Sequence, residues 1–227
     1  MRLVDARWPE IEAAARGVLV VPVGALEQHG PHLPLDTDAA IAAAVAERLH
    51  ARRPDAGLAP VLALGASGEH ADFPGTLSIG TAALRLVLVE LVRHAAAHWR
   101  AVLVVNGHGG NADALREATA LCRDEGRRLV VVHLGTAGAD AHAGRAETSL
   151  MLHVAPRRVR LDLAAPGVTT PLPELLADLV RSGVRAVSAN GVLGDPTGAT
   201  AAEGARLLAE LVDRAVAAHD RCATADP

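Results

Sequence analysis

Val18-Leu19-Val20-Val21-Pro22-Val23, followed without a break by Gly24-Ala25-Leu26-Glu27-Gln28-His29-Gly30-Pro31-His32-Leu33-Pro34-Leu35-Asp36-Thr37-Asp38, is the stretch on which the fold turns. The first six residues form a short, continuously apolar run, as expected of a strand covered on both faces. A glycine ends it, and the run of loop residues that follows carries carboxylates and imidazoles up to a helix start at Thr37 or Asp38. The same grammar repeats downstream. Leu58 to Leu64, Ala101 to Val105 and Leu129 to Leu134 read as further strands, with helical patterns between them at about Asp38–Arg53, Thr81–Trp99 and Asn111–Glu125. Trp8-Pro9-Glu10 places a proline at a first helical position, so a short helix precedes the first strand.

Strands alternating with helices predict an α/β fold with a mainly parallel central sheet flanked by helices. The last third is less regular: Leu172–Val180 is read as helical, Val184–Thr197 as loop and Thr200–His219 as a closing amphipathic helix. With no repeat or linker in view, residues 1–227 are expected to form a single domain.

Composition removes several chemistries. All 22 basic residues are arginine, and there is no lysine or tyrosine, so P-loop, Schiff-base and lysine-base mechanisms are excluded. A formal charge of -4, with Trp8, Phe73 and Trp99 as the whole aromatic complement, argues against nucleic-acid binding and against a polybasic membrane patch. Cys122 and Cys222 are too few for a disulfide framework or a thiolate zinc cluster, and both read as small core residues. No apolar run approaches a membrane span and the N-terminus lacks a signal-peptide core, so a soluble, cytoplasmic protein is expected.

Ligands of open α/β sheets bind beyond the carboxyl ends of the strands. The chemistry-bearing residues follow each strand in turn: Glu27, His29 and Asp38 after the first, Glu69 and His70 after the second, His108 after the third, and His142 and Glu147 after the fourth. Carboxylate oxygens and imidazoles without thiolate suit Zn²⁺, Mn²⁺ or Fe²⁺, and a carboxylate can bridge two ions that together activate a water and polarise a carbonyl. Each histidine alone has a plainer reading. His50, His94, His98 and His219 fall on helix patterns as surface or half-buried residues, His153 reads as packing, and His133 as a satisfied strand histidine. Asn106-Gly107-His108-Gly109-Gly110-Asn111 also resembles an anion cradle at a helix N-terminus, a weaker reading without a lysine or a complete dinucleotide fingerprint.

The block Glu27-Gln28-His29-Gly30-Pro31-His32-Leu33-Pro34-Leu35 with Asp38 resembles the signature of the creatininase family. Asn106–Asn111, then His142 with Glu147-Thr148-Ser149, and Gly191-Val192-Leu193-Gly194-Asp195-Pro196, follow in the family's order, so the resemblance spans nearly the whole chain. It implies a creatininase-type α/β sandwich, a homo-oligomer (a hexamer or similar), and a centre of two divalent metal ions per subunit, Zn, Fe or Mn. By the same likeness Glu27 and His108 hold one ion and His29 the other, with Asp38 bridging. Creatininase has a carboxylate two residues after its counterpart of His108, where this chain has Gly110; Glu147 is inferred to replace it. His142 resembles the family's proposed acid–base histidine; its rival role is support of Glu147. Glu69, His70, Phe73 and Asn111 are expected to contact substrate, although for Glu69 and His70 a loop hydrogen bond is an equal reading.

Creatinine is a poor fit to this chain. Creatininase closes two tryptophans over its small ring from the second half of its chain, and nothing aromatic follows Trp99 here. The short length and Gly65-Ala66-Ser67-Gly68-Glu69-His70 are instead most similar to the mycofactocin-system branch of the family. That likeness implies a peptidase acting on a modified precursor peptide and releasing a core derived from its C-terminal valine and tyrosine. The alternatives are another family amidohydrolase acting on a cyclic amide or formamide, and a non-enzymatic metal-binding subunit.

Overall fold

The computed structural model describes residues 1–13, 17–135 and 138–224. Four parallel strands, β1 (Val18–Val23), β2 (Gly57–Leu58), β3 (Ala101–Asn106) and β4 (Leu129–His133), form one sheet in the order β2-β1-β3-β4. Around them lie α1 (Trp8–Ala13), α2 (Thr37–Arg52), α3 (Gly80–Ala95), α4 (Ala112–Asp124), α5 (Arg145–Val154), α6 (Leu172–Val187) and α7 (Ala201–Thr224). The expected α/β class with a parallel sheet flanked by helices is the one observed.

The apolar runs divide their side chains by the two-residue period of a strand. Val18 and Val20 of β1, with Ala101, Leu103 and Val105 of β3, pack into a core shared with α2, α5 and α7. Leu19, Val21 and Val23, with Val102 and Val104, pack on the other face against α3 and α4. Both central strands are buried along their whole length, which is why they read as unbroken apolar runs. Cys122 and Cys222 are both buried and free, as their helical positions predicted.

Sequence and structure part company in four places. The expected strand Leu58–Leu64 shrinks to Gly57–Leu58 plus a single bridge from Leu62 to Val23. Pro60 has no N–H to give to a ladder, and Val61 beside it is exposed. The helix expected to reach Trp99 ends at Ala95, because Ala96-Ala97-His98 supplies no side chain that anchors another turn. Helix α5 occupies a segment given no helix by the sequence, and α6 runs past Val180 to Val187 across a kink at Gly183. His153 is exposed rather than packed, His133 ends β4 on the surface, and His219 is buried in α7. Among the described residues no helix is long and apolar enough to cross a membrane.

The connections run from β1 through α2 to β2 on one side, then return to β3 on the other side of β1. The strand order therefore switches between β1 and β3. The crevice beyond the carboxyl ends of those two strands is where such a sheet binds ligands.

Candidate metal centre

Both strands that flank the crevice deliver ligands directly into it. The loop after β1 carries Glu27 and His29; the Glu27 N–H donates to Leu35 O at 2.9 Å, folding the loop back on itself before α2 begins. Asp38 lies in the first turn of α2, where the helix dipole favours a carboxylate. Past β3, Gly107 has no Cβ, and one placed there would come within 2.5 Å of Asp38 O. This missing side chain lets the β3 turn press against the start of α2. Asn106 fixes the turn by donating from Nδ2 to His108 O at 2.6 Å.

Asp38 stands at the middle. Its Oδ1 is 3.1 Å from His29 Nε2 and its Oδ2 is 3.2 Å from His108 Nδ1. His108 Nε2 lies 3.1 Å from Glu27 Oε2, and Glu147 Oε2 lies 4.0 Å from His29 Nε2. Glu147 comes from the first turn of α5 and accepts a 2.7 Å hydrogen bond from Ala143 N–H. Ala143 has a φ of 51°, which among the described residues no other non-glycine shares in sign. Two triads result, Glu27–Asp38–His108 and His29–Asp38–Glu147, each with donor atoms within 4.8 Å of one another, and Glu27–His29–His142 forms a third.

The donor set fits divalent cations. Both carboxylate oxygens of Glu27 and Oδ2 of Asp38 are buried and without a hydrogen bond, although imidazole nitrogens stand close by at other angles. Buried anionic oxygens left so are costly unless something positive occupies the space they face. Burial pushes the Glu27 carboxyl up to about 8, with the Asp38 charge adding to the effect. Burial also acts to raise Asp38, but the neighbouring His29 and His108 hold it well below the carboxylate range. For His29 burial works downward and is outweighed by Asp38, giving about 10; for His108 it is outweighed by Glu27 and Asp38, giving about 9. Burial raises Glu147. A crowd of carboxylates and imidazoles competing for protons is the environment that a divalent ion relieves.

Gln28, which sequence reading passed over, braces the rim. Its Nε2 donates to His70 Nδ1 at 2.8 Å and to Gly191 O at 3.0 Å, and its Oε1 accepts from Gly30 N–H at 2.8 Å. His142 Nε2 donates to Gln28 O at 2.7 Å, which leaves Nδ1 as the unprotonated nitrogen, 3.7 Å from Glu27 Oε1. Burial lowers His142 well below its ordinary value, so the ring is neutral. Burial likewise holds His70 down to about 3. An amide flanked by two ligand candidates carries no chemical signature in sequence; only its position between Glu27 and His29 pointed to it.

A cavity of about 660 Å³ opens over this centre, lined on one side by Asp38, His108, His142 and Glu147 and on the other by α6. Glu69 and His70, expected to meet substrate, line it. Phe73 does not; it lies under the Arg185 guanidinium, 5.2 Å from the ring centroid. Asn111 is fully buried, donating to Gly24 O and Asn106 Oδ1 at 3.0 Å each and accepting from Ala66 N–H. Its amide ties three loops together.

The family model for creatininase (creatinine amidohydrolase) matches residues 4–219. The chain belongs to the creatininase family. Among curated members, the mycofactocin precursor peptide peptidase of Mycolicibacterium smegmatis (strain ATCC 700084 / mc(2)155) is 55% identical over 201 residues, covering 86% of this chain and 81% of that protein. The protein of the same name from Mycobacterium ulcerans (strain Agy99) is 51% identical over 221 residues, covering 94% and 85%. Among solved structures, creatinine amidohydrolase (creatininase) superposes with a TM-score of 0.81 at 27% identity, covering 99% of this chain and 98% of that one. A mutant creatininase of Zn-Zn type and a structure described as creatininase Mn superpose with TM-scores of 0.81 and 0.77. In this creatininase-family chain, the four-stranded sheet thus carries its buried carboxylate–imidazole clusters on a framework shared with creatininase itself.

Proposed function

We propose that this chain is a metal-dependent peptidase that hydrolyses the modified mycofactocin precursor peptide and releases the core derived from its C-terminal valine and tyrosine. The observation that carries the reading is identity above one half to peptidases of that name over most of the chain, joined to two triads that share Asp38 at the floor of a cavity. In this reading Glu27 and His108 would hold one divalent ion (Zn, Fe or Mn) and His29 and Glu147 the other, with Asp38 shared between them.

Bound ions of this kind polarise a scissile carbonyl and acidify a water. The residues of the chain do the rest. His142, neutral at rest, takes at Nδ1 the proton that the attacking water gives up and passes it to the leaving amine. Its other nitrogen, held by Gln28 O, fixes the ring and the tautomer. Glu69 and His70 border the substrate, while the apolar residues of α6 face the centre across the cavity. Among the described residues, no tryptophan or other benzenoid ring lines the cavity to close over a small cyclic amide, which separates this reading from creatinine hydrolysis.

The test incubates metal-loaded protein with the modified precursor peptide and creatinine together and follows both by mass spectrometry. The expected outcome is metal-dependent release of the C-terminal fragment with creatinine intact, and loss of that release in a folded His108→Ala variant. Creatine formation beside an intact peptide refutes the reading.

A further inference from the structure

We propose that His70 is a positioning residue of the centre: the Gln28 amide fixes its tautomer, and the Nε2–H that results holds Glu27 by Oε1. The ring is then neither a metal ligand nor a proton carrier. This rests on Glu27 being an ion ligand, as in the reading above, and not on which peptide is cleaved.

Two backbone groups fix the Gln28 amide. Gly30 offers Oε1 an N–H at 2.8 Å, and Gly191 O can only accept, from Nε2 at 3.0 Å. Turned end for end, the amide would set oxygen against oxygen and N–H against N–H. Gly191 makes room for it: φ there is 79°, and a Cβ would overlap Gln28 Oε1. The second proton of the amide has one place to go. His142 Nε2 lies 3.1 Å away but gives its own proton to Gln28 O at 2.7 Å. His70 Nδ1, at 2.8 Å, accepts. A ring that accepts at Nδ1 is neutral and carries its proton at Nε2.

This sets His70 apart from the other three imidazoles of the centre. His29 gives its Nδ1 proton to Glu27 O at 3.1 Å, His108 its Nε2 proton to Ala66 O at 3.0 Å, and His142 its Nε2 proton to Gln28 O. Each uses its N–H on a backbone carbonyl and turns a bare nitrogen inward: His29 Nε2 and His108 Nδ1 to Asp38, His142 Nδ1 to Glu27. A bare nitrogen can bind an ion or take a proton. His70 does the reverse. It uses its bare nitrogen on Gln28 and turns the N–H inward, with Nε2 standing 3.3 Å from Glu27 Oε1.

The approach is off the line of a full hydrogen bond. In a buried site, an N–H at that distance still attracts a carboxylate oxygen, whereas a bare nitrogen would repel it. The other oxygen, Oε2, faces His108, 3.1 Å from Nε2. His70 thus acts on one oxygen of Glu27 and leaves the other to the ion. A ligating carboxylate keeps its orientation through an outer partner of this kind.

Two measurements test this, and neither needs turnover. The first is long-range proton–nitrogen NMR of protein carrying isotope-labelled histidine, metal-free and zinc-loaded, with His70 assigned from the peaks lost in His70→Gln. A proton on Nε2 and a bare Nδ1 are expected in both. In Gln28→Glu, which offers His70 Nδ1 an acceptor, the proton is expected to move to Nδ1. The second is competition for zinc with a chromophoric chelator. Glutamine ends in an amide near the place of a histidine Nε2, and asparagine near that of Nδ1. His70→Gln is therefore expected to keep zinc affinity within about threefold of the wild type, and folded His70→Asn and Gln28→Glu to lose about 10–100-fold. Should either variant fail to fold, the wild-type tautomer decides. A proton on Nδ1 of His70 in the wild type overturns the proposal, as does a zinc-induced shift that marks a metal-bound nitrogen on that ring. Equal zinc affinity in wild type, His70→Gln and His70→Asn, with only KM for the peptide raised, makes His70 a substrate contact and overturns it too. A wild type with the Nε2–H tautomer that binds no zinc keeps the clamp on Glu27 and removes the metal reading instead.

Discussion

Replacing Gly110 by alanine places a methyl group in space already taken. A Cβ at that position would meet Glu69 Oε1, His108 Nε2 and, at 2.5 Å, Ala66 O, where ordinary contact begins at 3.4 Å. Glu69 is the end of a flexible side chain and can swing away. Ala66 O is backbone and itself accepts from His108 Nε2 at 3.0 Å, so the remaining strain falls on His108. Overpacking by roughly 1 Å on a ring and a carbonyl costs about 1–3 kcal/mol, which for a chain of this size lowers Tm by roughly 5 °C. Displacing a ligand's support lowers metal affinity by about 10–100-fold. Thermal unfolding with and without chelator gives the first quantity, and competition for zinc with a chromophoric chelator gives the second. Gly110→Glu, which installs the carboxylate that creatininase carries there, is expected to do worse than alanine, because Glu69 already fills that space. A Gly110→Ala protein with unchanged Tm and unchanged zinc affinity would refute the packing argument, and a Gly110→Glu protein with improved affinity would refute the assignment of Glu147 as the replacement ligand.

Two further outcomes follow from the same geometry. Glu147→Gln is expected to halve the zinc bound per chain, since it disables the His29 triad and leaves Glu27, Asp38 and His108 in place; full loading by elemental analysis would count against the assignment. His32, fully buried with Nε2 at 2.8 Å from Thr148 Oγ1, is held down to about 4 by burial and then by the His29 charge. A histidine whose folded value lies below its unfolded 6.5 favours the fold while neutral. Its contribution is therefore whole above pH 6.5 and fades between there and about 4, by up to about 3 kcal/mol. Denaturant titrations of wild type and His32→Asn across that window should show the steeper acid loss in the wild type, and parallel curves would contradict it.

The core strands were legible because Val18–Val23 and Ala101–Val105 are covered on both faces, leaving no polar residue to blur the run. What was missed has local causes. Pro60 truncated an apolar stretch that otherwise reads as strand, and Gly135, Gly138 and Gly144 made the approach to α5 read as loop although Glu147 opens its first turn. The helical reading of α6 stopped at Val180, ahead of Gly183, whereas the helix kinks at that glycine and resumes beyond it. The candidate ligands Glu27, His29, Asp38, His108 and Glu147 were visible as residues following strand ends, and the structure brings all five into neighbouring triads. Phe73 and Asn111 carried the same surface clues and lie outside the cavity, one beneath a guanidinium and one inside a brace. Type and order reveal which side chains can act, but not which way a loop turns them.

The place of Asp38 has a mechanical corollary. A carboxylate is a rigid planar fork, and this one has a tine on each side of the centre, with Oδ1 toward His29 and Oδ2 toward His108. Any rotation that draws one tine nearer its neighbour tilts the other, so the two halves of the centre are joined as a seesaw whose pivot is the first turn of α2. A rotation of that first turn is thereby felt by both halves together, with opposite sign.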